Sequence, residues 1–221
     1  LMKKQYAVIG MGRFGSSVAS TLYREGNEVL AIDKKEDQIN DHKDSVSYAV
    51  IGDATEEETM KEVGIRNFDT VIVAIGDDIQ ASILAVLLLK ELGVKHVVAK
   101  ALTKNHAQVL YKIGADKVIF PEKDMGERVA HHLMAAPNVL NFIELSDKYS
   151  IEEIQIPRSM EGKNLRELSL RSKYNVMVVA IKEKESNKIN IAPDPDENLD
   201  MDDILLVIGE NRDLERFTNL T

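Results

Sequence analysis

The chain predicts an α/β architecture: a doubly wound parallel sheet, Rossmann-like, followed by a small α+β domain. Three observations predict it. Short apolar runs alternate with amphipathic segments through the first 120 residues. A glycine triplet, GMGRFG at 10–15, directly follows the first apolar run, YAVI. Beyond Glu122 that rhythm stops and alternation of apolar and polar residues replaces it. Near-continuous apolar strands are buried on both faces, which means parallel sheet with helices on either side. Right-handed crossovers then wind the helices over both faces.

Each element has its own signal. Residues 6–9 form the first strand and 14–24 an amphipathic helix, with the glycines between them. Gly26-Asn27 marks a turn, 29–32 a second strand, 36–41 a polar helical segment and 47–51 a third strand. Residues 55–63 read as a helix with Thr55 as N-cap, Glu58 completing a capping box and Gly64 ending it. A fourth strand covers 70–75. The helix over 79–92 is apolar on most faces and is expected to be buried. A strand at 96–99, a helix at 105–113 closed by Gly114 and a strand at 117–120 complete the first region. A helix over 124–136 stops at Pro137-Asn138. Beyond it come strands at 150–156 and 176–181, a polar turn at 183–190, an edge strand at 189–192, a strand at 202–208 and a helix at 211–217.

Composition narrows the function. Of 221 residues, 44% are apolar and 29% charged, as in a soluble globular protein. A net charge of −9 argues against nucleic acid or anionic membrane as partner. The absence of cysteine excludes disulfides, thiolate zinc sites and cysteine nucleophiles, and fits a reducing, cytoplasmic setting. No run reaches the roughly 18 apolar residues of a membrane span. Leu1-Met2-Lys3-Lys4 leads into the first strand without a secretory apolar region. Membrane attachment is therefore expected to run through a partner protein.

Gly10, Gly12 and Gly15 follow a strand and open a helix, where such a turn brings backbone amides to a phosphate. Asp33 ends the second strand about 20 residues on, placed for ribose hydroxyls; its alternative is a helix N-cap. Asp53 and Ala54 follow the third strand, where Asp53 faces an adenine amine or serves a plain turn. Ile75, Gly76 and Asp77 follow the fourth strand and Lys100 the fifth. Ligands of such sheets sit outside these carboxyl ends. Arg13 exceeds what a dinucleotide pyrophosphate needs. Its fork suits extra terminal phosphate charge, so ATP or ADP is at least as well matched as NAD(H). Phe14 and Lys34 complete the local set.

An enzyme is not expected. About 80 residues remain after the parallel sheet, too few for a dehydrogenase substrate domain. His42, His96, His106, His131 and His132 have neither a catalytic carboxylate spacing nor a metal motif. The rival readings are a small NAD(H)-dependent oxidoreductase, a redox-sensing transcription regulator with a Rossmann core and a purely structural assembly module.

The runs QYAVIGMGRFGSSVA, VLAID, VIGDATEE, VIVAIGDDIQASILAVLLLKELGV, VVAKA and KIGADKVIFPEKDMGERVA resemble the cytoplasmic regulatory subunits of Ktr/Trk potassium uptake systems. That family joins an RCK_N (KTN) domain to an RCK_C (TrkA-C) domain. The resemblance implies a nucleotide-binding domain at 1–122, a crossover helix and linker at 123–143 and an RCK_C domain at 144–221. It implies a homo-oligomer of dimers, usually an octameric ring, docked on a KtrB/KtrD-like potassium-translocating membrane subunit. ATP would favour activity and ADP the less active state; NAD(H) is a further ligand of the domain. Gly10, Gly12, Arg13 and Gly15 would hold phosphates, and Ala101, Leu102 and His106 would complete the crevice with Lys100. Glu122 would bind Mg2+, Ca2+ or Na+ near the γ-phosphate. In the RCK_C domain the resemblance implies cyclic di-AMP at a homodimer interface. Arg171 would meet a phosphate there, with Leu165, Arg166, Ser169, Leu170, Met177 and Pro193 around it. Ser169 stands where the family commonly has aspartate, and Arg166 where it has an aliphatic residue.

Overall fold

The apolar runs of the first region pair side by side into one parallel sheet. In the computed structural model, which describes residues 3–183 and 188–219, the chain divides into two units, Leu1–Met125 and Gly126–Thr221. The first contains β1 (Gln5–Ile9), α1 (Arg13–Arg24), β2 (Glu28–Asp33), α2 (Glu36–His42), β3 (Tyr48–Ile51), α3 (Glu57–Glu62), β4 (Thr70–Val73), α4 (Ile79–Glu91), β5 (His96–Lys100), α5 (Lys104–Lys112) and β6 (Lys117–Ile119). The strand order is β3-β2-β1-β4-β5-β6, all parallel. Connections run outward in opposite directions from β1 and β4, which sets the switch point where such sheets take ligands. In register, Val8 of β1 lies beside Ala31 and Ile72.

Alternate residues of each strand feed two cores. Ala7, Ile9, Leu30, Ile32, Val71 and Val73 pack on one face with Ala85, Val86 and Leu89 of α4. Val8, Val29, Ala31 and Ile72 pack on the other with Ala19 of α1. This is the doubly wound architecture, and double-sided burial is why the strands read as continuous apolar runs. The expected burial of α4 holds for one side; Leu84 and Leu87 stay exposed on the other.

The helix α6 (Pro121–Met134) begins in the first unit and continues into the second. It starts three residues before the expected 124, because Pro121 and Glu122 suit a helical first turn. The second unit continues with β7 (Val139–Ser146), β8 (Tyr149–Gln155), α7 (Leu165–Leu168), α8 (Leu170–Tyr174), β9 (Met177–Lys182), β10 (Ile189–Ile191), β11 (Ile204–Glu210) and α9 (Asn211–Thr218). Its sheet is antiparallel, ordered β10-β9-β11-β8-β7. Its core gathers Ile154, Ile156, Leu168, Leu170, Leu205, Val207, Leu214 and Phe217.

Two expectations are corrected, and a segment without an expected element is filled. Residues 139–143 are not linker; they open β7, which pairs antiparallel with β8. Thr55 is not an N-cap: α3 starts at Glu57 with Glu56 before it, because the Thr55 amide and hydroxyl both donate to Asp53 Oδ1 at 2.9 and 2.7 Å. The segment 165–174 holds two short helices, joined where Ser169 takes a left-handed φ of 48°. The polar turn expected at 183–190 falls in part on residues 184–187, outside the described residues. Among the described residues, no helix is long and apolar enough to cross a membrane.

Candidate functional site

A cavity of about 800 Å3 opens over the carboxyl ends of β1, β2, β4 and β5 in the first unit. That volume is in the range of small-molecule sites. The three glycines shape it in different ways. Gly10 turns with φ +93°, and its amide donates to the Ile32 carbonyl at 2.8 Å. A Cβ there would sit 3.1 Å from the Ala74 carbonyl carbon. Gly15 lets α1 rest on the turn, since a Cβ would lie 1.8 Å from the Gly10 carbonyl oxygen. Gly12 is different: nothing lies within 4 Å of its missing Cβ, and it borders the cavity. Its bareness keeps space clear for a ligand.

Gly12 is also the N-cap of α1, with no capping side chain and no acidic residue in the first turn. The first amides of that helix therefore face the cavity side without an internal acceptor, a setting that favours an anion. Arg13 is exposed on the cavity wall and forms no ion pair or hydrogen bond through its side chain among the described residues. Phe14 borders the cavity while its ring side packs against the α1-side core.

Asp33 locks the turn. Its Oδ2 accepts from the Met11 amide at 2.7 Å and its Oδ1 from the Lys35 amide at 2.9 Å. Each carboxylate oxygen keeps a further lone pair, so ribose hydroxyls still have acceptors. Asp33 is not the N-cap of α2, which is Lys35; its carboxylate braces the turn before that helix and borders the cavity. Asp53 is held by Thr55, and that hydroxyl, then the Thr55 amide, lower its pKa below the ordinary 3.8. Lys34 Nζ lies 3.9 Å from Asp78, and Asp78 caps α4 by accepting from the Ala81 amide at 2.9 Å.

Lys100 is buried, and its ammonium lies 2.5 Å from Glu122 Oε1. A Cβ at Gly76 would come within 3.2 Å of that ammonium, so Gly76 makes room for the lysine. Hydrogen bonding from Lys100 is the main cause that lowers the Glu122 pKa, and the Arg13 charge adds to it.

The structure brings most expected residues to one wall: Gly10, Gly12, Arg13, Phe14, Asp33, Lys34, Asp53, Ala54, Ile75, Gly76, Asp77, Lys100, Leu102 and Glu122. Gly15, Ala101 and His106 lie outside it. Ala101 is packed in the core, 1% exposed. His106 is buried, and its Nδ1 accepts from the Leu102 amide at 3.4 Å, so it supports the Leu102 turn from behind. Burial lowers its pKa, which keeps it neutral. Lys35, Gln38, Asp78 and Ala81 also border the cavity. Gln38 follows Lys35 by one helical turn, and Asp78 stands where a cap precedes the apolar run of α4; those spacings are the signals that point to them.

Glu122 already has a cationic partner in Lys100, and no three His, Asp or Glu side chains converge among the described residues.

In the second unit the candidate residues divide. Leu170 and Pro193 are buried, Leu170 as part of the core, so neither presents a surface to a ligand. Leu165 packs against the same core. Arg166 makes a bidentate pair with Asp196, Nε to Oδ1 at 2.6 Å and Nη2 to Oδ2 at 3.0 Å. The Ser169 hydroxyl donates to the Arg166 carbonyl at 2.9 Å. Arg171 and Met177 remain exposed.

The TrkA-N domain family matches residues 6–121 and the TrkA-C domain family residues 151–221. The chain belongs to the Ktr/Trk potassium-uptake regulatory family. It is 47% identical to Ktr system potassium uptake protein C of Bacillus subtilis (strain 168), over 98% of this chain and 96% of that one. It is 46% identical to Ktr system potassium uptake protein A of the same organism, over 99% and 97%. Among solved structures, the GsuK channel bound to NAD matches 99% of this chain and 39% of its own, with 27% identity and a TM-score of 0.54. GsuK bound to ADP matches 59% and 34%, with 28% identity and a TM-score of 0.52. This chain thus spans well under half of those solved chains.

Proposed function

We propose that the chain is the nucleotide-sensing regulatory subunit of a Ktr-type potassium uptake system, a gating protein and not an enzyme. The observation that carries this reading is the cavity at the switch point, where bare helix amides and the exposed Arg13 meet the acceptors of Asp33. An adenine nucleotide matches that arrangement end to end: ribose at Asp33, phosphates at Gly12 and Arg13. ATP favours the active state and ADP the less active one. A ligand shifts two states only by its difference in affinity for them, and one further phosphate at Arg13 supplies such a difference. NAD(H) is the second ligand, favoured by the GsuK likeness. The subunit is cytoplasmic and peripheral, assembles from dimers into a ring and docks on a KtrB/KtrD-like membrane subunit.

Calorimetric titration with ATP, ADP, NADH and cyclic di-AMP tests the reading. Binding of ATP or ADP with Arg13→Ala narrowing the ATP-to-ADP ratio is the expected result. No heat with any adenine nucleotide overturns it. In the cyclic di-AMP arm, the residues that can respond are the exposed Arg171 and Met177.

A further inference from the structure

In the second unit, β8 carries a charge that its surroundings do not answer. Ser150, Glu152 and Ile154 alternate along the strand and so share one face. Ile154 belongs to the core and Ser150 is buried, so Glu152 lies on the core side of the sheet. In register it stands between Phe142 of β7 and Val207 of β11, whose side chains offer no donor. Its Oε2 is shut off from water and has no hydrogen-bond partner among the described residues. Burial raises its pKa above the ordinary 4.5. A carboxylate so placed costs free energy for as long as it is charged and unpaired.

A source of positive charge lies beside it. His131 and His132, in the last turn of α6, rest against the Phe142 ring with centroids 5.6 and 5.0 Å away. Residues directly opposite in an antiparallel pair have Cβ atoms about 5 Å apart. The ring that both histidines touch is therefore also the cross-strand neighbour of Glu152. The other groups on this face are apolar or engaged. From β11, Leu205, Val207 and Gly209 oppose Ile154, Glu152 and Ser150. From β7, Glu144 opposes Ser150. From α9, Asn211 bonds the Ser150 hydroxyl, and Asp213 is held by Asn175 and Arg216. On α6, Glu127 and Arg128 stand one turn before the histidines. Arg128 keeps its charge at every working pH, so it cannot switch.

We infer that His131, His132 and Glu152 form a proton-operated latch: a proton taken up by a histidine supplies the cation that the carboxylate lacks and fastens the end of α6 to the second sheet. Histidine titrates near 6.5, within the range of ordinary pH change. A histidine that gains an anionic partner has its folded pKa raised. Its contribution to stability is full below the unfolded value and is lost as pH rises through the folded one. The carboxyl end of a helix also favours a cation, so only the shift that depends on Glu152 belongs to the latch. Because α6 carries the chain from the first unit into the second, the proton acts on their connection. The latch does not rest on the nucleotide reading.

The test is NMR titration of the full chain, labelled with carbon-13 at histidine Cε1, as wild type and Glu152→Gln. His131→Gln and His132→Gln assign the two signals. At least one of these histidines is expected to titrate about one pH unit higher in wild type than in Glu152→Gln, while His42 and His96 stay unmoved. Differential scanning calorimetry gives a second readout. Wild type should unfold at a higher temperature than the variant with both histidines replaced by glutamine at pH 6, and at the same temperature at pH 8. In the Glu152→Gln background that difference at pH 6 should vanish.

Equal histidine pKa values in wild type and Glu152→Gln overturn the inference. So does an advantage at pH 6 that survives Glu152→Gln, which would assign it to the helix end alone. Should Glu152→Gln fail to fold, the histidine variants decide: no loss of unfolding temperature at pH 6 overturns the latch.

Discussion

Two exposed arginines, Arg13 in the first unit and Arg166 in the second, are committed in opposite ways. In the first, Arg13 stands exposed at the cavity and unpaired among the described residues, and Lys100 is held by a carboxylate that is mostly in water. In the second, Arg166 is exposed yet already committed to Asp196 through two short bonds, and two of its expected neighbours lie buried. The first arrangement is open to an incoming anion. The Arg166–Asp196 pair is closed on itself, while Arg171 stays exposed. The difference teaches that cationic side chains alone do not mark a ligand site; what they already hold decides it.

That contrast can be broken at the backbone, where the largest effect is expected. Gly15→Ala forces a Cβ against a backbone carbonyl oxygen at 1.8 Å. It should cost about 3 kcal/mol or more, as severe overpacking does. Gly12→Ala, with open space around it, should leave the unfolding temperature within a degree or so, a change of about 0.5 kcal/mol or less, while lowering ATP affinity. Thermal unfolding beside calorimetry separates the two. Equal loss of stability in both variants would show that Gly12 serves packing and not the ligand.

Next in size is Leu170→Ala in the second unit, expected to cost about 3 kcal/mol as a core truncation. Met177→Ala, 51% exposed, should cost about 0.5 kcal/mol or less. Urea denaturation reads both, and a small effect at Leu170 would return it to the ligand surface.

The pH response sharpens the comparison further. Asp53 has its pKa lowered by Thr55 in the first unit, while burial raises that of Glu152 above the ordinary 4.5 in the second. The Asp53 contribution to stability is present above pH 3.8 and is lost as pH falls through its lower folded value. Glu152 has the opposite sign: folding favours its protonated form, so stability is lost as pH rises from 4.5 through its folded pKa. Glu152→Gln should therefore raise the unfolding temperature of the second unit at pH 7 and bring no gain near pH 4. Thr55→Val should weaken the first unit at pH 7 and leave it nearly unchanged below the folded pKa of Asp53. Differential scanning calorimetry from pH 3 to 7 checks both.

The smallest effect belongs to Arg166→Ala. An exposed ion pair contributes little to stability, so the unfolding temperature should not move measurably. If it falls clearly, the Arg166–Asp196 clasp is a structural element of the second unit and more than a surface pairing.

The first unit was legible because its signals are local. Glycines at 10, 12 and 15, acids at 33 and 53 and a lysine at 100 follow strand ends, and strand ends gather at one edge of a parallel sheet. Thr55 misled because its hydroxyl serves the preceding Asp53 and not the following helix. His106 misled because its position one turn past Leu102 is equally compatible with facing the cavity and with supporting its wall. The start of β7 at Val139 was obscured because Pro137 breaks a helix without specifying whether a loop or a strand comes after it.

The sequence by itself determined the alternation of strand and helix, the parallel sheet and the phosphate-shaped turn. Each depends on backbone preferences that residues within a few positions dictate. Only the tertiary structure decided that Lys100 meets Glu122 across 22 residues, that Arg166 meets Asp196 across 30, and that Leu170 faces the core. Charged side chains choose partners by distance and burial, and both arise only when distant segments pack together.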